Sequence, residues 1–356
     1  TIVNYLIMKR VIYGLTILFA LALIIPVTVA HVPISAQDGE TLETAFFIAE
    51  PTKSWVIYSE LHEATDPQYF AFEMDAGTRI RMLLSIPVTA DPAEFTPSIA
   101  LMGPGITNSS SIPGYLEIPE SSGVMIIESE SATPAYEGFT PTSFYALIDI
   151  DMQAPSTGEY YFAVYDPDSG GSFSVALGYV ESFTLTEWLF VPLNVMTIHQ
   201  WNGQSILSIL VPMIATFVLG MILLLNRRND LKELESGVSW IGAVGALLFF
   251  GSGITIFYQI ALAALFAIDL QVIISILFGI LPILLGVFTI RIVLTENWQK
   301  TRSKQIRLLL LGIIAPFLWA GLLIGPALVI LSAILAFVIS SRATHSVLLQ
   351  EHSQVK

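Results

Sequence analysis

The acidic pairs Asp149/Asp151, in "DIDM", and Asp166/Asp168, in "DPDSGG", are the first candidates for chemistry in this chain. Each sets two carboxylates one residue apart, and a hard cation such as calcium wants several carboxylate and carbonyl oxygens at short range, which adjacent loops can converge to supply. Asp, Pro, Ser and Gly also build turns with no ion at all, so calcium and plain turn chemistry both suit these residues. His31 is a candidate of another kind. It follows the small-residue run Thr28-Val29-Ala30, and cleavage after Ala30 would make it an amino-terminal histidine, able to chelate copper through its amine and ring. That chemistry needs a second fixed histidine. His62, in "SELHEATD", is the only other one in the region up to the aromatic stretch, and nothing in the sequence brings the two together; a processing coincidence in a mobile tail is the competing reading.

Two further sets lie in more apolar surroundings. Asp269 and Arg291 are ionisable groups in the apolar half of the chain, where such residues mark transport or catalysis by default. Their positions suggest instead an outer interface for Asp269 and a cytoplasmic end for Arg291, where its head can snorkel to water. The stretch "EWLFVPLNVMTIHQWNGQ", residues 187–204, is too broken for a membrane span and too hydrophobic for an ordinary loop. Trp188, Phe190 and Trp201 suit an interfacial aromatic belt, and His199 an interfacial hydrogen-bonding role rather than a ligand or base.

No catalytic set can be assembled around these residues. The chain has no cysteine, which removes disulfides, thiolate metal sites and cysteine nucleophiles together. "LHEATD" lacks the second histidine of H-E-x-x-H. "FFGSGI" around Ser252 lacks the rhomboid-type G-x-S-G spacing, and there is no second intramembrane aspartate for an aspartyl protease. The expectation is a protein with no catalytic residues and no cofactor, calcium excepted as above.

The elements that must hold these residues follow from composition. The chain has 356 residues, 54% hydrophobic and 12% charged, against about a quarter charged in soluble domains, which points to a membrane protein. Residues 37–187 hold 23 acidic residues against Lys53, Arg79 and Arg81. A region so acidic repels nucleic acid and anionic headgroups, so neither is expected as its ligand. Residues 1–30 read as a signal peptide with Met8 as the true start: Lys9 and Arg10, an apolar run from Val11 to Ile25, then Pro26 and the cleavage site. An uncleaved anchor is the alternative, since Val11 to Ala30 is just long enough to span. Both place the following domain outside the cytoplasm.

After a linker over residues 31–40, residues 41–185 read as strands. "SWVIYSEL", "QYFAFEM", "TRIRMLLSIPV", "SIALMGP", "SFYALIDIDM", "EYYFAVYDP" and "SFSVALGYV" are rich in aromatic and β-branched residues and separated by turn formers. Seven or eight such strands imply a β-sandwich of two antiparallel sheets. Asp66, Tyr69, Phe70, Phe72, Ala76-Gly77, Gly158, Tyr160, Tyr161, Val164, Gly171 and Phe173 carry a resemblance to the pre-peptidase C-terminal type of domain. It covers about 120 residues and departs in the middle, where residues 103–142 are longer and rich in Ser, Pro and Glu. The resemblance implies a small secreted jelly-roll-like sandwich, an accessory or binding module without catalysis of its own. The sequon Asn108-Ser109-Ser110 lies within that longer middle, in a loop.

Beyond the aromatic collar of residues 186–204, apolar runs at about 205–225, 238–260, 270–294, 308–322 and 324–340 read as spans, followed by a cytoplasmic tail over 341–356. The last two come from one run too long for a single crossing, divided at Gly325-Pro326; reading it as one span gives four. Arg227/Arg228 and the cluster Lys300, Arg302, Lys304, Arg307 fall in the cytoplasm when the sandwich is outside, as the positive-inside rule requires. The sequence thus predicts a multi-pass plasma-membrane protein, a jelly-roll-like β-sandwich followed by a bundle of four or five transmembrane helices. Its expected partners are the bilayer and a protein partner or envelope glycan, and the collar is expected to hold the sandwich at a defined angle. A transporter or sensor whose helices move is the alternative function, and a membrane-anchored hydrolase a third.

Overall fold

Alternation in the strand region translates directly into two packed sheets. The structure, a computed structural model, describes residues 31–36, 39–129 and 132–354; the expected signal peptide lies outside the described residues. Eleven strands form: β1 Val32–Ser35, β2 Phe46–Ile48, β3 Trp55–Leu61, β4 Gln68–Met74, β5 Arg79–Pro87, β6 Ser98–Gly103, β7 Gly123–Ile127, β8 Thr133–Glu137, β9 Thr142–Gln153, β10 Gly158–Tyr165 and β11 Gly171–Leu177. They make a six-stranded sheet in the order β1-β3-β11-β5-β9-β8 and a five-stranded sheet in the order β2-β4-β10-β6-β7. Both are mixed, because β1 pairs with β3 and β2 with β4 in parallel while the other pairs are antiparallel. The expected sandwich is therefore present, with strictly antiparallel sheets replaced by mixed ones at two edges.

The period of two sends Ile57, Ile80, Met82, Leu84, Phe173 and Val175 of one sheet, and Phe70, Phe72, Tyr160 and Phe162 of the other, into a shared core. Phe70 stacks on Phe162 at 4.6 Å and meets Phe173 edge-on at 6.3 Å, which joins the sheets. Aromatic pairs of this kind contribute about 0.5–1.5 kcal/mol beyond the area they bury. The longer middle segment has a structural use. Its loop carries Leu116, with Ile112 and Tyr115 beside it, onto Tyr69, Met102, Val124 and Tyr165 on the outer side of the five-stranded sheet. The Tyr69 hydroxyl accepts the Glu117 backbone N–H at 2.7 Å. Asn108 of the sequon is engaged in the same segment, its Oδ1 accepting from Val124 N at 2.9 Å.

Six helices follow: α1 Leu185–Trp201, α2 Ile206–Asn226, α3 Gly237–Ala263, α4 Val272–Val293, α5 Arg302–Ile314 and α6 Ile324–Gln354. Four of them, α2, α3, α4 and α6 as far as Arg342, are long and apolar enough to cross a membrane. The stretch read as a broken collar is helical despite Pro192. At 13 residues α5 is short for a span, about 20 Å at 1.5 Å per residue. The turn after it falls earlier than Gly325-Pro326: Trp319, Leu322 and Leu323 take left-handed backbone angles, and Gly325-Pro326 opens α6, where proline's missing N–H costs nothing.

The chain divides into two compact units. The first holds the sandwich together with Ile198–Gly203 and Ala263–Ile274; the second holds Leu185–Thr197, Gln204–Leu262 and residues from Ser275 onward. Within the second, α3 and α6 approach closely at Gly245, where an added Cβ would lie 2.9 Å from the Gly325 carbonyl oxygen, the small-residue contact typical of membrane helices. Several buried polar groups there are paired. Trp298 Nε1 donates to Ser239 Oγ at 2.9 Å, Ser332 Oγ to the Val238 carbonyl at 2.7 Å, and Gln204 and Gln259 exchange amide hydrogen bonds at 2.8 and 2.9 Å.

Candidate functional site

The candidate site lies within the first unit, on the face of the six-stranded sheet opposite the core. Residues that alternate with the inward set, among them Tyr58 on β3, Ala176 on β11 and Arg79 and Arg81 on β5, point to that face. A bulge between β5 and β9 at Leu84/Ser85 adds one residue to β9. It turns Leu147 into the core and leaves Thr142 and Phe144 on the outer face, while Asp149 and Asp151 keep that face at the far end of the strand.

Two short stretches cover the face. In Ile198–Gly203, Trp201 donates its indole N–H to the Phe173 carbonyl at 3.1 Å and meets the Tyr58 ring edge-on at 5.1 Å. Asn202, 8% exposed, accepts from Val88 N at 3.1 Å and donates to Thr142 Oγ1 at 2.7 Å and the Ser143 carbonyl at 3.2 Å. In Ala263–Ile274, the carbonyls of Ala263 and Ala267 accept from Ser143 Oγ at 2.9 and 3.4 Å, so a β9 hydroxyl ties this stretch to the sheet. Gln271 Oε1 accepts from Gly138 N at 3.3 Å, and Gln271 N donates to Asp269 Oδ1 at 2.7 Å. Between these stretches and the sheet remains a cavity of about 570 Å³, within the range of small-molecule sites.

Its ionisable groups fall into two sets. Arg79 is held in a two-pronged pair by Asp151, both contacts at 2.7 Å, and Arg81 pairs with Asp149 and donates to the Ile150 carbonyl at 3.1 Å. Among the described residues Glu137 and Asp269 have no cationic partner. Burial, with the charges of Asp269 and Glu181 adding to it against one backbone hydrogen bond, raises Glu137 to about 7. Burial also pushes the Tyr58 phenol up, with the Glu137 charge contributing. His31 Nδ1 lies 2.6 Å from Ser54 Oγ, the kind of contact a nucleophile makes with its base. Ser54 is 1% exposed and does not line the cavity. Burial, then the charge of Arg81, lowers His31 to about 4 and keeps its ring neutral.

The residues singled out from sequence are dispersed. Asp149 and Asp151 close arginines on β5, as above. Asp166 is buried at 2% and accepts from the backbone N–H groups of Thr96, Asp168 and Ser169 at 2.8–3.0 Å, organising the β10–β11 turn. Among the described residues no group of three or more His, Cys, Asp or Glu is placed to hold a metal, so the calcium set does not converge and His31 gains no companion ligands. Trp188 donates to the Phe317 carbonyl at 3.1 Å and packs with Phe278 and Trp319 in the second unit, and Phe190 is exposed. His199 is buried at 2%; its Nδ1 finds no partner among the described residues, and burial lowers it to about 4. Arg291 sits exposed in the last turn of α4. Asp269 is in the α3–α4 connection, where the sequence put it, and lines the cavity.

Sequence reasoning missed Tyr58, Glu137 and Asn202. Asn202-Gly203 was the one signal available, an Asn-Gly pair whose glycine has φ +81°, the composition of a sharp turn.

No family model matches the chain, and no curated protein matches it. Among solved structures, the secreted protein MopE of Methylococcus capsulatus is 11% identical and aligns over 35% of this chain and 72% of that one, with a TM-score of 0.17. A likeness at that score carries no argument about fold or ligand. The observations here define a membrane protein of several spans carrying a β-sandwich.

Proposed function

We propose that this is a non-enzymatic plasma-membrane protein whose sandwich, exported and resembling the pre-peptidase C-terminal type, serves as a binding module, with the cavity over the six-stranded sheet as its ligand seat. The enclosed volume of about 570 Å³ between sheet and covering stretches is the observation that carries the reading. The basic residues Arg227, Arg228 and Lys300 to Arg307 support a sandwich outside the cytoplasm. Within the four candidate spans the only acidic or basic side chains are Arg291 and Arg342, both near a helix end, which favours a binding role over a charge-relaying transporter.

The test is a ligand screen read by thermal unfolding of the whole protein in nanodiscs. A compound at about a hundredfold its Kd stabilises by ~2.7 kcal/mol. Ala135→Trp fills the cavity from the edge strand β8, and its melting temperature without ligand should stay near the parent's. Compounds that shift the parent should leave the variant unmoved. A screen that yields no such compound, or shifts equal in both proteins, overturns the seat.

A further inference from the structure

We infer that the cavity takes a small organic cation with an apolar body, a protonated amine, seated on Glu137 and Asp269 and packed against Tyr58 and Trp201. This rests on reading the cavity as a ligand seat and adds the ligand's charge and shape.

The charge follows from which groups are already paired. Both arginines in the wall are closed by Asp149 and Asp151, and His31 is neutral, engaged with Ser54. Asp269 accepts only from the neutral donors of Gln271, at 2.7 and 3.3 Å. Glu137 Oε1 accepts from Phe139 N at 2.9 Å. Its Oε2, and the Tyr58 hydroxyl, have no hydrogen-bond partner among the described residues, although both residues line the cavity. Two acidic groups are therefore left without a cation among the described residues: Asp269, which is exposed, and Glu137, which is half-buried beside a phenol with unused hydrogen-bonding capacity. For the half-buried Glu137, a carboxylate with no partner is costly. An ammonium donor placed between them satisfies both.

The shape follows from the walls. Tyr58, Tyr179, Phe139, Phe144 and Trp201 line the space, and aromatic faces attract weakly hydrated cations. Calcium and magnesium are held largely through clustered carboxylates, and among the described residues no group of three or more His, Cys, Asp or Glu is placed to hold a metal. The cavity therefore suits a cation that brings its own apolar surface.

Proton linkage gives an independent readout. Glu137 is raised to about 7 by burial and by the charges of Asp269 and Glu181; Tyr58 feels its charge, and Arg79, Arg81, His31, Tyr136 and Tyr179 are the other charged or titratable groups lining the cavity. A bound cation favours the carboxylate, so binding at pH 6.5 releases a proton. The experiment is titration calorimetry on the whole protein in phosphatidylglycerol nanodiscs, whose headgroups carry no ammonium, with benzylammonium and phenylmethanesulfonate as probes of like size and opposite charge. The cation should bind and the anion should not, with heats that differ between phosphate and cacodylate, neither of which brings an ammonium, by the released proton. Glu137→Gln, which keeps the acceptor for Phe139 N, should weaken the cation about tenfold or more and abolish the buffer difference; Tyr58→Phe should weaken it severalfold with the Trp201 contact kept. Equal binding of both ions, or cation binding indifferent to Glu137→Gln and Asp269→Asn, overturns the inference. If neither ion binds while neutral compounds still respond to Ala135→Trp, the cation is wrong and the seat survives; if no compound responds to Ala135→Trp, both fall.

Discussion

Glu137 and His31 sit in one cavity with pKa values displaced in opposite directions, and the signs can be followed separately. Glu137 is raised from its ordinary value of 4.5 to about 7, so the fold holds its proton better than the unfolded chain does. Its contribution to stability is full below pH 4.5 and is lost as pH rises through about 7. His31 is lowered from 6.5 to about 4, so the fold disfavours its proton. That contribution is present above pH 6.5 and is lost as pH falls through about 4, and His199 adds to it in the same direction. Between pH 4.5 and 6.5 the two histidines together outweigh Glu137, so the parent's melting temperature falls as the pH falls. Thermal unfolding of the whole protein in nanodiscs across pH 4–8 should unmask each one. In Glu137→Gln the melting temperature should fall more steeply with acid than in the parent; in His31→Gln it should fall less steeply. Identical profiles in all three proteins would show that neither group titrates as described.

At the scale of elements, the sequence was legible where strands have neighbours on both sides. The seven strand runs read from it correspond to β3, β4, β5, β6, β9, β10 and β11, which are the interior strands of the two sheets; the four that escaped, β1, β2, β7 and β8, are the four edges. Interior strands carry dense aromatic and β-branched patterns because both backbone flanks are paired and one face is core. Edge strands lack that pressure, and Pro33 in β1 and Pro134 in β8 are tolerated only where a backbone N–H has no neighbour to serve. Glu137 ends one of those edges, which is why the cavity's central acid had no signal. The contacts of Asn202 and Gln271 were hidden for another reason, since their partners lie 60 and 133 residues away and no local pattern encodes them. Gly138 shows what this packing demands: an added Cβ would lie 2.6 Å from the Gln271 carbonyl oxygen. Gly138→Ala should therefore cost about 1–3 kcal/mol. Hydrogen exchange should report faster exchange over residues 263–274, with the five-stranded sheet unchanged; uniform loss of protection would mean that the glycine serves the whole sandwich.

For the molecule as a whole, the lack of cysteine makes orientation directly measurable. Thr107, exposed in the loop after β6, and Ser303, exposed at the start of α5 among the basic residues, are suitable single probes. With Thr107→Cys, a membrane-impermeant maleimide should label intact cells; with Ser303→Cys, labelling should require permeabilisation. The reverse pattern would put the sandwich in the cytoplasm and end the proposal of an exported module. The charge distribution agrees with the expected pattern, because a region with 23 acids and three bases has little to draw it to anionic headgroups.

The first unit is assembled from stretches far apart in the chain: the strands, then Ile198–Gly203, then Ala263–Ile274. This gives its biosynthesis a fixed order. The last strand ends at Leu177, yet the amide of Gly138 finds Gln271 only after α2 and α3 have been made. At ribosomal speeds of about 5–20 residues per second, those intervening residues take roughly 5–20 s. Through that interval Ser143 lacks its acceptors at Ala263 and Ala267, and the cavity has no roof on that side. The nascent sandwich is thus a client for whatever guards unfinished β-structure, and a gene fragment ending after β11 would yield a domain held permanently at that stage.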